Sequence, residues 1–395
     1  MSNNNSWQKV RFYEICKNIS DRIDDPKQAD TDYYVGLEHL DSEDPKISRH
    51  GSPQDVSKTK LLFKSGHILF GKRNWYLRRL AVAQREGICS AHMLVLEPIE
   101  GKITKEFLPL LMFSDKFFEK ALMVSAGSMS PTIKWKDIAP LEFLIPSIEQ
   151  QENILSITHK IDHAIYNVQN LLEKTKNYEI SRRESLLTRG IGHTKFKKVQ
   201  GMFGKEIEIP EEWIIEKLSQ VCKIYESNNI SSDLYIGLEH IEQGTGKLLA
   251  RGNNADFIST KHVFQKGNVL YGKLRPLLKK VWITNENGFC STDILSIQPN
   301  KKISVTILSF ILLSTNFLSY AVSTSAGTKM PRTNWTDMKE YKICLPPIPE
   351  QQQITLILSN IDKQITRQKS HLTNLKVLRK SVLNSRLTKE KVIAQ

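Results

Sequence analysis

The amino-acid sequence is written twice, and that limits the fold more than any other feature. Residues 34–40 read YVGLEHL and residues 235–241 read YIGLEHI. Residues 62–72 read LFKSGHILFGK and residues 263–273 read VFQKGNVLYGK. Cys89-Ser90 returns as Cys290-Ser291, all at an offset of 201. SAGSMSPTIKW (125–135) returns as SAGTKMPRTNW (325–335) at an offset of 200, and Trp7 and Cys16 match Trp213 and Cys222 at 206. A period near 200 residues is far above solenoid periods. It is a tandem duplication of a whole module, and loop insertions account for the drift in offset.

Each module has one internal order. Short strand-like runs come first, such as HILF (67–70) and NVLY (268–271), each closed by glycine. A helix-like apolar stretch follows, Phe107 to Met123 and Ile307 to Ser323, then the Ser-Ala-Gly loop, a short strand and a proline. After Pro146 and Pro349 glycine and proline almost vanish for some 40 residues. Ile154, Ile157, Ile161, Ala164, Val168 and Leu171 recur at spacings of three and four. In the second copy Ile354, Leu358, Ile361, Ile365, Leu372, Leu375 and Val382 form a seam that Gln368 and Arg379 interrupt. A heptad seam of this length predicts a coiled coil. A helix of about 35 residues is roughly 50 Å long.

The expected class is α+β. Two similar α/β domains are separated by two long antiparallel coiled-coil helices, a pseudo-two-fold internal repeat. The boundaries read as a first head over 1–148, a long spacer helix over 149–190, a linker over 191–206, a second head over 207–349 and a second spacer helix over 350–391. Two heads held apart by rigid helices suit a two-part site on B-DNA, which advances about 3.4 Å per base pair.

Charge agrees with that partner. The 395 residues hold 56 Lys and Arg against 42 Asp and Glu, a net charge of +14, which favours a polyanion and duplex DNA first. Each head has a basic turn, GKRNWYLRRL (71–80) and GKLRPLLKKV (272–281). Lys72/Lys273, Arg78/Lys279 and Arg79/Lys280 keep their charge between copies, which suits phosphates. Arg73, Asn74 and Tyr76 differ from their counterparts, Arg275 among them; Arg and Asn can read base edges in pairs of hydrogen bonds. The Ser-Ala-Gly loop adds Ser128 and Lys134 in the first head and Thr328, Lys329 and Arg332 in the second. The second spacer is the more basic: nine basic to three acidic residues from 350 onward, against six to six over 149–189. That places it nearer DNA or an acidic partner face, with Lys376 and Lys380 as the residues to test.

Several signals are declined. GHILFGK fits G-x-x-x-x-G-K, but Arg73 and Leu274 stand where a P-loop needs Ser or Thr. Glu38-His39 and Glu239-His240 are read as adjacent strand residues with structural or DNA-facing roles. The histidines and carboxylates suggest no metal site. Five cysteines without a C-x-x-C pair suit a reducing cytoplasm, and the paired ones, Cys16/Cys222 and Cys89/Cys290, read as small buried hydrophobes. The window Val305 to Val322 carries too many Ser, Thr and Asn for a membrane span.

PPIPEQQQI (346–354) with its twin PSIEQQENI (146–154), YGKLRP (271–276), SAGTKMPRTNW (325–335) and EIPEEW (208–213) together resemble the specificity subunit of type I restriction–modification enzymes. The resemblance implies that each head is a target recognition domain for one half of a bipartite, asymmetric DNA sequence. It implies spacer helices that set the gap and dock two modification subunits, and a chain that does no catalysis and binds no cofactor itself. S-adenosylmethionine would come with the modification subunits; ATP and Mg²⁺ would come with restriction subunits. A stand-alone DNA-binding regulator and an unrecognised nuclease are the other classes left open.

Overall fold

The computed structural model describes residues 7–127, 129–202, 206–227, 231–256 and 260–387. The chain divides into two compact units, one made of residues 1–169 and 370–395, the other of residues 170–369. Both divisions fall inside a long helix. The helices run Ile148–Arg189 and Ile348–Leu387, close to the expected bounds; residues 388–391 of the second spacer lie outside the described residues.

In unit 1 the first head holds two four-stranded sheets. One is ordered Cys16–Ile19, Met93–Pro98, Ile68–Gly71, Leu80–Val82, all antiparallel. The other is ordered Arg22–Ile23, Lys60–Phe63, Gly87–Cys89, Tyr34–Val35, with the last pair parallel. The strand Ile68–Gly71 is buried on both faces, so it reads as a continuous apolar run. Leu69, Val95 and Ala81 pack toward Val35, Leu61 and Phe63, while Ile68, Phe70 and Leu96 share a core with the helical layer. A two-stranded ribbon, Gln8–Arg11 with Glu142–Ile145, leads into the long helix.

The apolar stretch of each head is two helices rather than one, Phe107–Phe113 with Asp115–Met123, and Val305–Leu313 with Thr315–Ser323. Ser114 and Ser314 make the break. Each hydroxyl accepts from the amide three residues on, Phe117 at 3.2 Å and Phe317 at 3.1 Å, and so caps a new helix. The second pair bends by 63° and buries Ile307, Leu308, Ile311, Leu312 and Phe317. Among the described residues no single helix is long and apolar enough to cross a membrane.

Unit 2 repeats the head with sheets ordered Cys222–Ile224, Ile294–Pro299, Val269–Gly272, Val281–Ile283 and Gly252–Asn253, Leu234–Ile236, Gly288–Ser291, Lys261–Phe264. The stretch 191–206, expected as a linker, instead opens a hairpin of Phe196–Gln200 with Glu206–Pro210. Ile207 and Ile209 alternate with Glu206 and Glu208 there, and Lys198 meets Glu206 at 3.4 Å. The segment is tied down further on. Glu350 accepts from the Trp213 indole at 2.7 Å and the Ile191 amide at 3.0 Å, and its Oε1 is 2.8 Å from His193 Nε2.

Within each unit the long helices are antiparallel. In unit 1 Arg379 forks onto Asp162 at 2.5 and 3.3 Å, while Ile154 and Leu155 share a core with Leu383 and Leu387. In unit 2 Gln368 donates to Thr175 Oγ1 at 3.1 Å. The second helix's seam follows the expected residues: Ile354, Leu358, Ile361 and Ile365 are buried, and Leu372 and Leu375 half-buried. Its end differs, with Leu383 rather than Val382 buried.

The first helix needs a larger correction. Ile154 is buried and Ile157, Ile161 and Val168 are half-buried, but Leu171 is 51 % exposed; Leu172, Thr158 and Thr175 occupy the seam. Both threonine hydroxyls donate to the carbonyl four residues back, at 2.8 and 2.7 Å, so they can be buried without an outside partner.

The end of each helix docks on the head of the other copy. In unit 1 Asn384 Nδ2 donates to Asp115 Oδ2 at 2.6 Å and its Oδ1 accepts from the Asp115 amide at 3.4 Å. In unit 2 Glu184, the repeat equivalent of Asn384, accepts from the Thr315 amide at 2.6 Å. Both contacts cap a helix N-terminus. Burial acts to raise the Asp115 carboxyl, but hydrogen bonds from Arg78 and Asn384 outweigh it and hold the group below the usual carboxylate range.

Two outcomes follow. Leu383→Ala removes a buried anchor of unit 1 and lowers stability by about 2–4 kcal/mol, while Leu378→Ala, at an exposed site, stays within about 0.5; chemical denaturation reads both. The Asp115 contribution is present above the unfolded carboxylate value near 3.9 and is lost as pH falls through the depressed folded value. Acid unfolding of Asp115→Asn therefore begins at a less acidic pH than in the parent only if another carboxylate controls the transition; the direct result is a shallower pH dependence below about pH 5.

Candidate nucleic-acid interface

The two basic turns share an unusual backbone. In the first, Asn74 and Arg78 adopt left-handed conformations (φ 51° and 50°) around a single 3₁₀ turn, Trp75–Leu77. In the second, Arg275 and Lys279 do the same (φ 50° and 45°) around Pro276–Leu278. Such residues cost roughly 1–2 kcal/mol each, so the surroundings must hold them. Trp75 does so from below, stacked at 6.0 Å on Phe118.

The Ser-Ala-Gly loop holds the turn from the side. The Asn74 amide donates to the Pro131 carbonyl at 2.9 Å, and Arg275 to Pro331 at 2.7 Å. Ile133 and Thr333 donate to the carbonyls of Lys72 and Lys273, both at 3.0 Å. Gly127 (φ 101°) and Gly327 (φ 95°) occupy a conformation that L side chains rarely adopt, which explains the glycine in both loops. The two segments picked from sequence thus form one surface in each head.

Their side chains sort into three groups. Arg73, Tyr76 and Lys134 in the first head, and Arg275, Thr328, Lys329 and Arg332 in the second, are exposed. Lys72, Asn74, Arg79 and Lys273 are half-buried at the same edge. Ser128 lies outside the described residues. The third group is held elsewhere. Arg78 pairs with Asp115 at 2.7 Å and Glu43 at 3.3 Å and lies over the Phe118 ring. Burial, then the charge of Arg183, pushes the Lys279 ammonium down, with Glu184 and Glu179 opposing. Lys280 donates to the Ile241 carbonyl at 2.5 Å. The kept charge at 78 and 279 therefore has a reason inside each unit: Arg78 pairs with Asp115, which Asn384 of the long helix also bonds, and Lys279 lies in the field of the other long helix's end. The basic excess of the second helix is likewise partly matched within its units, by Lys380 near Asp115 and Lys369 near Glu242.

The first head adds one cation that the sequence reading missed, Arg22. It lines a cleft of about 250 Å³ together with Lys72, Asn18, Ser20, Asp24 and Thr59. Burial, then Arg22, lowers the Lys72 ammonium. His92 stands nearby, its imidazole pushed down by burial, then by Arg73 and Lys72. Its counterpart at offset 201 is Asp293, a charge difference visible in the sequence. Apolar side chains also stand out at this face, Met129 at 96 % exposure and Tyr76 at 55 %; in the second head the counterpart of Tyr76, Leu277, is 62 % exposed. Cations beside exposed apolar groups can hold phosphates and touch bases.

The remaining candidates take structural places. Glu38-His39 and Glu239-His240 lie on 3₁₀ turns rather than strands, and each histidine Nδ1 accepts a backbone amide, Gly36 at 2.9 Å and Gly237 at 3.0 Å. Cys16, Cys89, Cys222 and Cys290 are buried free thiols; burial pushes Cys222 and Cys290 up to about 12. His159 and His163 stand one turn apart on an open groove of the first long helix, a spacing the sequence reading passed over. Among the described residues no group of three or more His, Cys, Asp or Glu could hold a metal ion.

Comparison with known proteins gives a consistent picture. The family described as type I restriction modification DNA specificity domain matches residues 4–182 and 210–375. The EcoDI specificity subunit of Escherichia coli is 27 % identical over 71 % of this chain and 69 % of its own length. The MjaVIII specificity subunit of Methanocaldococcus jannaschii is 24 % identical over 77 % and 74 %. In fold, a chain from a structural study of type I R-M complex assembly and conformational transition covers 97 % of this chain and 98 % of its own, with TM-score 0.64 and 20 % identity. The S subunit from M. genitalium covers 98 % of each with TM-score 0.51 and 14 % identity.

Lys134→Ala, at an exposed lysine of the same surface, should weaken duplex DNA binding and reduce the slope of log affinity against log salt by about 1. Arg78→Ala should leave that slope nearly unchanged and lower thermal stability instead, since its partners are Asp115 and Glu43. Titrations at several salt concentrations, with a melting curve for each variant, separate the two.

Proposed function

The chain belongs to the type I restriction–modification DNA specificity family, and from that membership we propose a division of labour for its parts. As a specificity subunit it serves DNA sequence recognition. In our reading each head takes one half of a bipartite, asymmetric site. One observation carries this: the two heads present the same backbone frame, with matched bonds from Asn74 and Arg275 to Pro131 and Pro331, but different side chains on it. One frame with two sets of readers suits two different half-sites.

Lys72, Lys273, Arg22 and the exposed lysines serve phosphates; Arg73, Asn74, Arg275 and Arg332 serve base edges. The long helices set the gap and dock two modification subunits, which bring S-adenosylmethionine and methylate adenine. Restriction subunits bring ATP and Mg²⁺ for translocation and cleavage. This chain contributes recognition without catalysis, and acts in the cytoplasm, where the DNA is.

The test is co-expression with a modification subunit of the same system, followed by sequencing of modified bases. The expected result is one bipartite methylated motif with a fixed gap. Exchange of residues 72–79 should alter one half of it, and exchange of 273–280 the other. Specific binding by the chain alone with no modification subunit associating would move the reading to a stand-alone regulator.

A further inference from the structure

The second head holds one arginine differently from the rest. Arg332 Nε lies 3.1 Å from Asp293 Oδ1, and Nη2 lies 3.4 Å from Oδ2. Its backbone is fixed as well, with amide and carbonyl both bonded to Ala326 at 2.9 Å. Asp293 is fixed in turn: its amide donates to Ser291 Oγ at 3.2 Å, and its carbonyl accepts from Lys273 at 2.9 Å. The guanidinium is nevertheless half exposed.

A guanidinium has five N–H donors, and Asp293 engages two nitrogens from one side. The donors left over point away from the carboxylate in a fixed plane. A cation already matched by a carboxylate is a poor phosphate ligand, because the pair is neutral and the carboxylate repels phosphate. It remains a good geometric donor. The base edge that offers two acceptors to such a fork is the major-groove edge of guanine, O6 and N7. The first head lacks the device: the repeat positions hold His92 and Thr132.

We propose that Arg332, oriented by Asp293, reads a guanine in the half-site of the second head, and that Asp293 is the positioning residue. This rests on the function proposed above. The experiment uses the full chain co-expressed with its modification subunit, with modified-base sequencing as readout. In the parent, the half-site that changes on exchange of 273–280 contains a guanine. Arg332→Lys, which keeps the charge, should lose preference for it by roughly 5- to 150-fold. Asp293→Asn should lose part of that preference, and Asp293→Glu should recover some of it. The other half-site and the salt slope of binding should not change. A parent that yields no bipartite motif sinks the function reading itself. A bipartite motif with full base preference in both Arg332→Lys and Asp293→Asn, or with binding weakened equally on all sequences, overturns this inference alone.

Discussion

The structure depends on how a helix N-terminus is satisfied. The first turn of a helix leaves amides without partners, and at Asp115 and Thr315 the missing acceptor comes from a side chain near the end of a long helix. Asn384 supplies it in unit 1 and Glu184 in unit 2, at equivalent repeat positions. The chemistry is not the same. In unit 1 the head contributes the carboxylate and the helix contributes an amide, with Lys380 nearby. In unit 2 the helix contributes the carboxylate, and Lys279 of the head lies in the field of Arg183 as well as of Glu184 and Glu179. The two helix ends thus meet their heads through different polar groups.

That docking decides what the basic turns can do. Their left-handed residues persist because the chain around them is held by the Ser-Ala-Gly loop in both heads and, in the first, by the aromatic floor of Trp75 on Phe118 as well. A frame held so firmly lets its exposed side chains vary without loss of geometry. Arg73 and Leu274, or Tyr76 and Leu277, can differ freely because neither supports the turn. Arg78 and Lys279 cannot, since Arg78 pairs with the Asp115 carboxylate that Asn384 also bonds and Lys279 lies in the field of Arg183, Glu184 and Glu179.

Much of this was legible in the sequence, for physical reasons. Duplication showed itself through matched tripeptides, and long helices through heptads and the absence of glycine and proline. Misreadings came where a polar group behaves as an apolar one or an apolar one as polar. Thr158 enters the seam because its hydroxyl is satisfied by its own helix, so hydrophobicity alone selected Ile157 and Leu171 instead. Ser114 and Ser314 break a stretch that hydropathy reads as continuous. The hairpin after residue 195 hid behind lysines and glutamates that pair across strands. Arg78 looked like a phosphate ligand because equal charge in two copies signals a shared partner, and sequence cannot say that the partner is Asp115 rather than DNA.

Unit 1 is discontinuous: its core includes Leu383 and Leu387, made more than 200 residues after the head they complete. Unit 2 is one unbroken stretch, 170–369. Synthesis runs at about 5–20 residues per second, so the first head, once made, waits on the order of ten seconds or more for its last anchors. The first unit is therefore begun first but completed last. During that interval Ile154 and Leu155 have the head's share of their core but not the share that Leu383 and Leu387 bring, so this part of the nascent chain stays incompletely covered.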